Sequence, residues 1–321
     1  MNSDTNKILI SDINRTIRDF VNESTIIKTE LVSKKLNGYW DQFFVALDTV
    51  DDTATAIQSF QGVTTECFDS NPYTLTYGIL QALFIQQDAV EFLKISLFGE
   101  VKKINWSKDY PELSDIRQLR NETIGHPVKK INKGGLTTSC TIDRSTLSKN
   151  GFNYILWSKS RFQNKSVNFE NIINLQYKYL NIELTLILDE LKKEEKHHKS
   201  KFKNESLSDL LNSDTLHQIN LIYGVMWNDH LGWSSFNYYF GQYKKIREGL
   251  ESRYGKFGIS LRIPGTHEVI KKLDYIFTRL NSFQDTNNFD EIEFEIYVDS
   301  LDSELKELLG HLKEIDLEFK K

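Results

Sequence analysis

The sequence predicts a mainly α-helical protein, and three observations support this fold class. Four prolines and sixteen glycines are few for 321 residues, which favours long helices over an architecture dense in turns. Most apolar residues recur at steps of three and four, the period of a helix with one buried face. Hydrophobic residues make up 39% of the chain and charged residues 26%, so the chain is able to bury a core.

The first two thirds of the chain read as a series of helices. Residues 1–38 are expected to form a helical extension, and the first long helix is predicted over Tyr39–Phe60. A second long helix opens at Asn71-Pro72, because proline is tolerated in the first turn, and ends near Gly99. A short helix over Pro111–Ile124 and a long one over Phe169–Glu194 complete this region.

The period of the pattern changes between the short helix and the long helix that follows it. Leu136–Asp143 and Gly151–Trp157 are short segments rich in β-branched and aromatic residues, and small polar residues separate them. Such a pair is typical of a β-hairpin. The sequence therefore predicts a small inserted hairpin at about 136–157.

A charged stretch, Lys192–Lys203, has little to bury, and we place a domain boundary there, with one domain over 39–201 and another over 205–321. Helices are predicted in the second domain over Leu207–Trp227, Phe236–Tyr254 and Pro264–Leu280. The last segment alternates like a strand near its start, but its apolar residues keep helical spacing to the end, which favours one terminal helix. The residues that keep this spacing are Phe294, Val298, Leu301, Leu305, Leu308, Leu312, Ile315 and Phe319.

Composition excludes several classes of protein. The sequence shows neither a secretory h-region nor an apolar run long enough to span a bilayer, so we expect no membrane association and a cytoplasmic location. Two cysteines are too few for a disulfide framework or a cysteine-built zinc site. No glycine-rich phosphate loop is present. We expect neither a metal nor another cofactor.

Basic residues concentrate in one region of a chain whose net charge is −5. The segment from Lys129 to Lys165 holds eight basic residues against one acid, Asp143. Two interpretations stay open, a solvated surface face and a local patch that binds phosphate. The basic residues are Lys129, Lys130, Lys133, Arg144, Lys149, Lys159, Arg161 and Lys165.

The stretch from Leu119 to Pro127 holds the candidate catalytic residues, Arg120, Asn121 and His126. Gly125 suits the left-handed position that commonly ends a helix, and Pro127 disfavours helical geometry at His126. On an unbroken helix, Arg120 and His126 would point roughly 120° apart, and a break would allow them to converge. Arginine holds phosphate charge and histidine transfers protons near neutral pH, which suits cleavage of a phosphodiester.

This neighbourhood resembles the HEPN (higher eukaryotes and prokaryotes nucleotide-binding) domain. The family motif is an arginine, often followed by asparagine, aspartate or histidine, and then a histidine after four to six intervening residues. Arg120, Asn121 and His126 match it, and the order of elements over about Tyr39 to Lys201 is similar as well. The resemblance implies a HEPN-like helical bundle and a metal-independent endoribonuclease that leaves a 2′,3′-cyclic phosphate. It also implies a homodimer in which two motifs face one cleft.

From this resemblance we expect a toxin or an anti-phage, abortive-infection effector. Arg120 would stabilise the charge of the phosphorane, His126 would act as general base or acid, and Asn121 would orient them. From the charge asymmetry alone, the residues expected to attract the RNA backbone are Lys129, Lys130, Lys133 and Arg144. Residues 205–321 would sense a signal, stabilise a dimer or bind an antitoxin or another regulatory partner. The alternative is a catalytically silent HEPN module that acts as a binding or scaffold protein.

Three other features have a structural and a functional interpretation. Gln86-Gln87-Asp88 would form the exposed face of its helix or line a site. His197-His198 would belong to a solvated tract or bind a metal. The aromatic residues of the cluster between Trp227 and Tyr243 would form a core or stack on nucleic-acid bases.

Overall fold

The protein is mainly helical and carries a small antiparallel sheet. A computed structural model describes residues 3–24, 26–28, 31, 38–125, 127–128, 130–131, 137–158, 161–211, 216–227, 230–262, 264–286 and 288–320. The chain divides into two compact units. Unit 1 comprises Met1–Val21 and Lys34–Glu190, and unit 2 comprises Asn22–Ser33 and Leu191–Lys321.

The helices of unit 1 include the predicted ones in their predicted order. They are α1 (Ser3–Glu23), α2 (Tyr39–Gly62), α3 (Thr65–Ser70), α4 (Pro72–Phe98), α5 (Trp106–Asp109), α6 (Pro111–Arg120) and the first part of α7 (Phe169–Phe202). The two short helices α3 and α5 were not predicted. α2 packs against α4, and four of its apolar residues at helical spacing, Phe43, Leu47, Val50 and Ile57, are buried. Burying these four side chains favours folding by roughly 1.5–3 kcal/mol each.

A buried polar layer joins α4 to α7. Gln87 Nε2 donates to Gln176 Oε1 at 2.7 Å, and Gln176 Nε2 donates to the Leu83 carbonyl at 2.8 Å. Gln86 and Gln87 are fully buried, so our expectation that they lie on the exposed face is wrong. Further along, Glu183 of α7 accepts from Lys94 Nζ and from the Tyr110 hydroxyl. These hydrogen bonds fix the alignment of the helices that carry the candidate site.

The sheet has four strands in the order β1-β2-β3-β4, all antiparallel. The strands are β1 (Lys130–Ile131), β2 (Thr137–Ile142), β3 (Gly151–Ser158) and β4 (Arg161–Asn168). The predicted hairpin is confirmed as β2 and β3, and β1 and β4 are additions that the sequence did not predict. β4 is polar and mostly exposed, so the hydrophobic alternation that signals a strand is missing from it. Gly151 is required at the start of β3, because a Cβ there would lie 1.9 Å from the Val167 carbonyl oxygen.

Unit 2 is built from helices around one hydrophobic core. After α7 come 3₁₀ turns at Ser208–Leu211 and His217–Trp227, then α8 (His230–Arg262), which Gly255 interrupts, α9 (Pro264–Thr286) and α10 (Glu291–Lys320). The helix predicted over Leu207–Trp227 is thus 3₁₀ at Ser208–Leu211 and His217–Trp227, and residues 212–215 lie outside the described residues. The terminal helix is confirmed, and every apolar residue that predicted it is buried. Phe236, Tyr239 and Tyr243 are buried too, which confirms core packing for the centre of the aromatic cluster.

The charged stretch Lys192–Lys203 is helical as far as Phe202, where α7 ends. The division between the two compact units falls between Glu190 and Leu191, inside this same helix. His198 of this stretch hydrogen-bonds through Nε2 to the Arg253 carbonyl at 2.7 Å, within unit 2. The Nε2 atom of His198, one of the two histidines considered for metal binding, is thus hydrogen-bonded to a backbone carbonyl.

Candidate functional site

Arg120 is the last residue of α6, and its guanidinium lies on α4. Its Nε and Nη2 both donate to Gln81 Oε1, at 2.9 and 2.8 Å, and its Nη1 donates to Asn121 Oδ1 at 3.0 Å. The guanidinium carbon also lies 4.6 Å from the ring centre of Phe84. A guanidinium has five N–H donors, so two of them remain for a ligand. Among the described residues, no carboxylate pairs with Arg120.

Arg117, one turn earlier on α6, has different partners. Its guanidinium carbon lies 4.3 Å from the same Phe84 ring, but its Nη2 contacts Asp88 Oδ1 at 2.7 Å. The positive charge of Arg117 is therefore neutralised within unit 1, whereas Arg120 is held by neutral amides. Of these two arginines, Arg120 has the uncompensated charge that attracts an anion.

The chain leaves α6 through a wide π-helical turn over Asn121–Gly125. Gly125 does not adopt the left-handed conformation that we predicted, since it continues the turn with ordinary φ. Its lack of a side chain is needed for a different reason. A Cβ at this position would lie 2.9 Å from Arg120 Nη1 and 3.4 Å from Asn121 Oδ1. Gly125 thus leaves room for the Arg120–Asn121 hydrogen bond, and π turns of this kind occur often at functional sites.

Glu122 anchors the π turn to the sheet. Its side chain is 4% exposed, and it accepts hydrogen bonds from Gln118 Nε2 at 2.6 Å and from the Tyr154 hydroxyl at 3.3 Å. Lys165 of β4 adds an ion pair at 3.5 Å. Burial and the nearby Glu122 carboxylate raise the pKa of Tyr154 above its usual value, so this hydroxyl stays a hydrogen-bond donor. The role of Glu122 as an anchor of the turn was not predicted from the sequence, although this carboxylate follows Arg120 by only two residues.

The thiol of Cys140 on β2 is close enough to Glu122 to be affected by its charge. Burial first, and then the Glu122 carboxylate, raise the pKa of Cys140 to about 11, partly offset by Lys165. A thiol with this pKa is protonated near neutral pH and is a poor nucleophile. Nucleophilic chemistry by Cys140 is therefore disfavoured.

The other predicted site residues are only partly described. His126, Lys129 and Lys133 lie outside the described residues. Lys130 is on β1 opposite Thr138, with its side chain also outside them, and Arg144 is an exposed residue in the turn that follows β2. Thr138 is near the start of β2, and Arg144 follows its last residue, Ile142, which is four extended residues and roughly 13 Å further on. Lys130 and Arg144 therefore lie at opposite ends of β2 and do not form one compact patch.

A groove of about 650 Å³ opens beside Asn121. It lies between α6 and the segment that leads into α5, and its walls are largely polar. Two cations contribute to them, Arg117 and Lys103, whose Nζ lies 3.4 Å from Glu91 Oε1. Asn105, Ser107, Ser114 and Gln118 supply amide and hydroxyl groups. These groups suit hydrogen bonds to nucleobase edges and sugar hydroxyls.

Two other features are absent from the described residues. Within that part of the chain, no three His, Cys, Asp or Glu side chains form a group that could hold a metal ion. No helix there is both long and apolar enough to cross a membrane. The chain matches no protein-family model, no curated protein and no solved structure.

Proposed function

We propose that unit 1 is a metal-independent endoribonuclease of HEPN type that acts as a toxin or as an anti-phage, abortive-infection effector. The observation that carries this proposal is that the guanidinium of Arg120 is held in place but not neutralised. Its guanidinium is fixed by Gln81, Asn121 and Phe84, yet no described carboxylate neutralises it. An arginine fixed in this way has little entropy to lose when it binds a phosphate.

The proposed reaction uses the nucleophile that RNA itself carries. The ribose 2′-oxygen attacks the adjacent phosphorus while the bond from phosphorus to the 5′-oxygen breaks. A base takes the proton of the 2′-hydroxyl, and an acid gives a proton to the leaving 5′-oxygen. The products are a 2′,3′-cyclic phosphate and a 5′-hydroxyl. Arg120 stabilises the charge that builds on the phosphate oxygens, and His126 carries a proton.

The groove beside Asn121 offers a path for the rest of the strand. A phosphate held by Arg120 would leave the neighbouring nucleotide close to the groove wall formed by Arg117 and Ser114. Lys103, which also lines the groove, is 62% exposed, and a second phosphate would compete with Glu91 for its ammonium group. Attraction of this kind to the backbone weakens as salt rises.

A two-fold dimer completes the proposed site. α4 exposes four large apolar side chains, Tyr73, Tyr77, Ile85 and Phe92, at 37%, 42%, 37% and 47%. Their spacing places them on one face of the helix, together with Gln81, which holds Arg120. A second copy of the chain that packed on this face would bury the apolar residues and bring two Arg120–His126 sets together. The second histidine then supplies the second proton transfer.

The test of the proposed function is the chemistry of the RNA ends. Purified protein is incubated with labelled single-stranded RNA in excess EDTA, and the same sequence is supplied as DNA. We expect RNA fragments whose 3′ ends resist phosphatase until mild acid opens a cyclic phosphate, and intact DNA. Strict dependence on magnesium or cleavage of DNA would mean a different mechanism. Intact RNA, together with retained RNA binding, would favour the catalytically silent scaffold.

Light scattering tests the dimer separately. Replacing Ile85 and Phe92 by serine should give a folded monomer with reduced cleavage, while Val45→Ser should change neither. Val45 is a suitable control because it is 62% exposed on α2, outside the α4 face. A wild-type chain that is monomeric at active concentrations would exclude a catalytic site shared by two copies of the chain.

A further inference from the structure

Unit 2 contains a second groove, which is unrelated to Arg120. It opens between the 3₁₀ turns of His217–Trp227 and the beginning of α10, with a volume of about 700 Å³. We refer to it as the acidic groove. Its lining includes Tyr223, Met226, Trp227, Glu291, Ile292 and Glu295.

Two apolar side chains that line the acidic groove are unusually exposed to solvent. Trp227 is 73% exposed and Ile292 is 69% exposed. Ile296, one turn further along α10, is 58% exposed. The neighbouring Phe294 and Val298 face the core and are fully buried, so stability does not explain the exposed set. Tryptophan with flanking aliphatic residues is typical of the centre of a protein-binding surface.

The rim of the groove is negatively charged. Residues 280–305 contain eight acidic residues and no lysine or arginine. Three of these acids have cation partners, since Glu293 pairs with Arg279, Asp302 with Lys306 and Glu304 with Lys272. No described cation pairs with Glu291 or Glu295, the two carboxylates that line the groove. Asp299 accepts a hydrogen bond from the Tyr223 hydroxyl, which fixes the wall of the groove. An anionic partner such as RNA or an acidic lipid surface would be repelled here.

We propose that the acidic groove binds a basic, amphipathic helical segment of a partner protein. Glu291 and Glu295 are four residues apart on α10 and therefore about one helical turn from each other. A partner helix with lysine or arginine at the same spacing can pair with both carboxylates. Its apolar face then covers Trp227 and Ile292, which removes them from water. This inference does not depend on the proposed ribonuclease activity.

A model peptide makes the groove testable in the full chain. The probe is a labelled 16-residue peptide of leucine and lysine, arranged as an amphipathic helix, and binding is followed by fluorescence anisotropy. A counterpart with glutamate in place of lysine tests charge, and one with serine in place of leucine tests the apolar contact. We expect the leucine–lysine peptide to bind in the micromolar range and at least about tenfold more tightly than either counterpart.

Variants of the chain locate the binding. Glu291→Lys with Glu295→Lys should weaken binding by about tenfold or more, and so should Trp227→Ala. The matched control is Glu307→Lys with Glu314→Lys, which makes the same change in net charge at exposed positions further along α10. This control should stay within about twofold of wild type, and circular dichroism should show all variants folded, because the replaced side chains are exposed.

Three outcomes would overturn the proposal. Equal losses in both double variants would mean general attraction to an acidic chain. Equal binding of the serine counterpart would mean that Trp227 and Ile292 take no part. Self-association of the wild-type chain that Trp227→Ala abolishes would assign the groove to a second copy of this chain.

Discussion

Arg120 in unit 1 and Arg253 in unit 2 place the same side chain in opposite electrostatic settings. Arg253 is 1% exposed, donates to Asp316 Oδ1 at 2.7 Å and to the Glu205 carbonyl at 2.8 Å, and lies 5.1 Å from the ring centre of Phe319. Arg120 also lies against a phenylalanine, but it is half-buried and its partners are neutral amides. The charge of Arg253 is therefore neutralised within unit 2, while no described carboxylate neutralises that of Arg120.

Asp316 is the carboxylate that neutralises the charge of Arg253. Besides that ion pair, it accepts backbone N–H groups from Leu207 and Ser208 and the hydroxyl of Ser206. This one carboxylate thus joins α8, α10 and the segment that follows α7. Among the described residues, no carboxylate forms a comparable ion pair with Arg120. The difference teaches that the partners of an arginine, more than its burial or its aromatic neighbour, indicate its role.

The largest expected effect is on stability. Asp316→Ala removes one partner of a buried ion pair and leaves Arg253 charged without compensation, which should cost about 3–5 kcal/mol in the free energy of unfolding. Urea denaturation measures this loss. The double variant Arg253→Met with Asp316→Asn should recover part of it, since both charges are then absent while the asparagine oxygen can still accept a hydrogen bond from Leu207 or Ser208. A loss below about 1 kcal/mol for Asp316→Ala would contradict the structural role.

The second largest effect is expected when Arg120 is given a carboxylate partner, as Arg253 has in Asp316. Gln81→Glu places a carboxylate where the neutral amide now holds the guanidinium, so the phosphate must compete with an internal anion. We expect RNA cleavage to fall on the order of 10²-fold while the melting temperature stays the same or rises. Gln58→Glu, at an exposed position of α2, is the control for net charge. Unchanged cleavage by Gln81→Glu would mean that the charge of Arg120 is irrelevant.

A smaller effect should follow from Gly125→Ala. The new Cβ would meet the flexible tip of Arg120 at 2.9 Å, so the guanidinium has to move while the backbone can stay. We expect a loss of cleavage on the order of tenfold, as small misplacements of catalytic groups produce, with stability changed by less than about 1 kcal/mol. Gly78→Ala is a suitable comparison, because a Cβ there meets nothing within 4 Å. Equal activity of the two variants would contradict the crowding argument.

The smallest effect appears only in acid. Burial raises the pKa of Asp316, but the hydrogen bonds from Arg253, Ser208 and Leu207 lower it more, to about 2. Because the folded pKa lies below the unfolded value of 3.8, the stabilisation is complete above about pH 4 and is lost as pH falls towards 2. Thermal melts across this range should show a steeper decline for the wild type than for Asp316→Asn. Parallel declines would mean that Asp316 does not titrate as described.

The sequence predicted those features whose signal lies in local spacing. The terminal helix α10 follows from apolar residues at steps of three and four, and each of them is buried. The hairpin of β2 and β3 follows from β-branched and aromatic segments separated by a turn. The place of Arg120 and Asn121 at the end of a helix was also predicted.

Features that depend on a distant partner were not predictable in this way. Gln81 lies 39 residues before Arg120 in the chain, and nothing in its surroundings marks it as the acceptor for a guanidinium. Gln87 pairs with Gln176 across 89 residues, so a polar residue that suggested an exposed face is buried. β4 is held by its hydrogen bonds to β3 and lacks any apolar alternation of its own.

The measurement that tests the central claim most directly is RNA cleavage by Arg120→Ala in EDTA, with the melting temperature recorded in the same preparation. We expect a loss on the order of 10²-fold or more with a melting temperature close to that of the wild type, and the same result for His126→Ala. Cleavage by Arg120→Ala at the wild-type rate would contradict the account. Unfolding of that variant would contradict it as well, since Arg120 would then be a structural residue of the Arg253 kind.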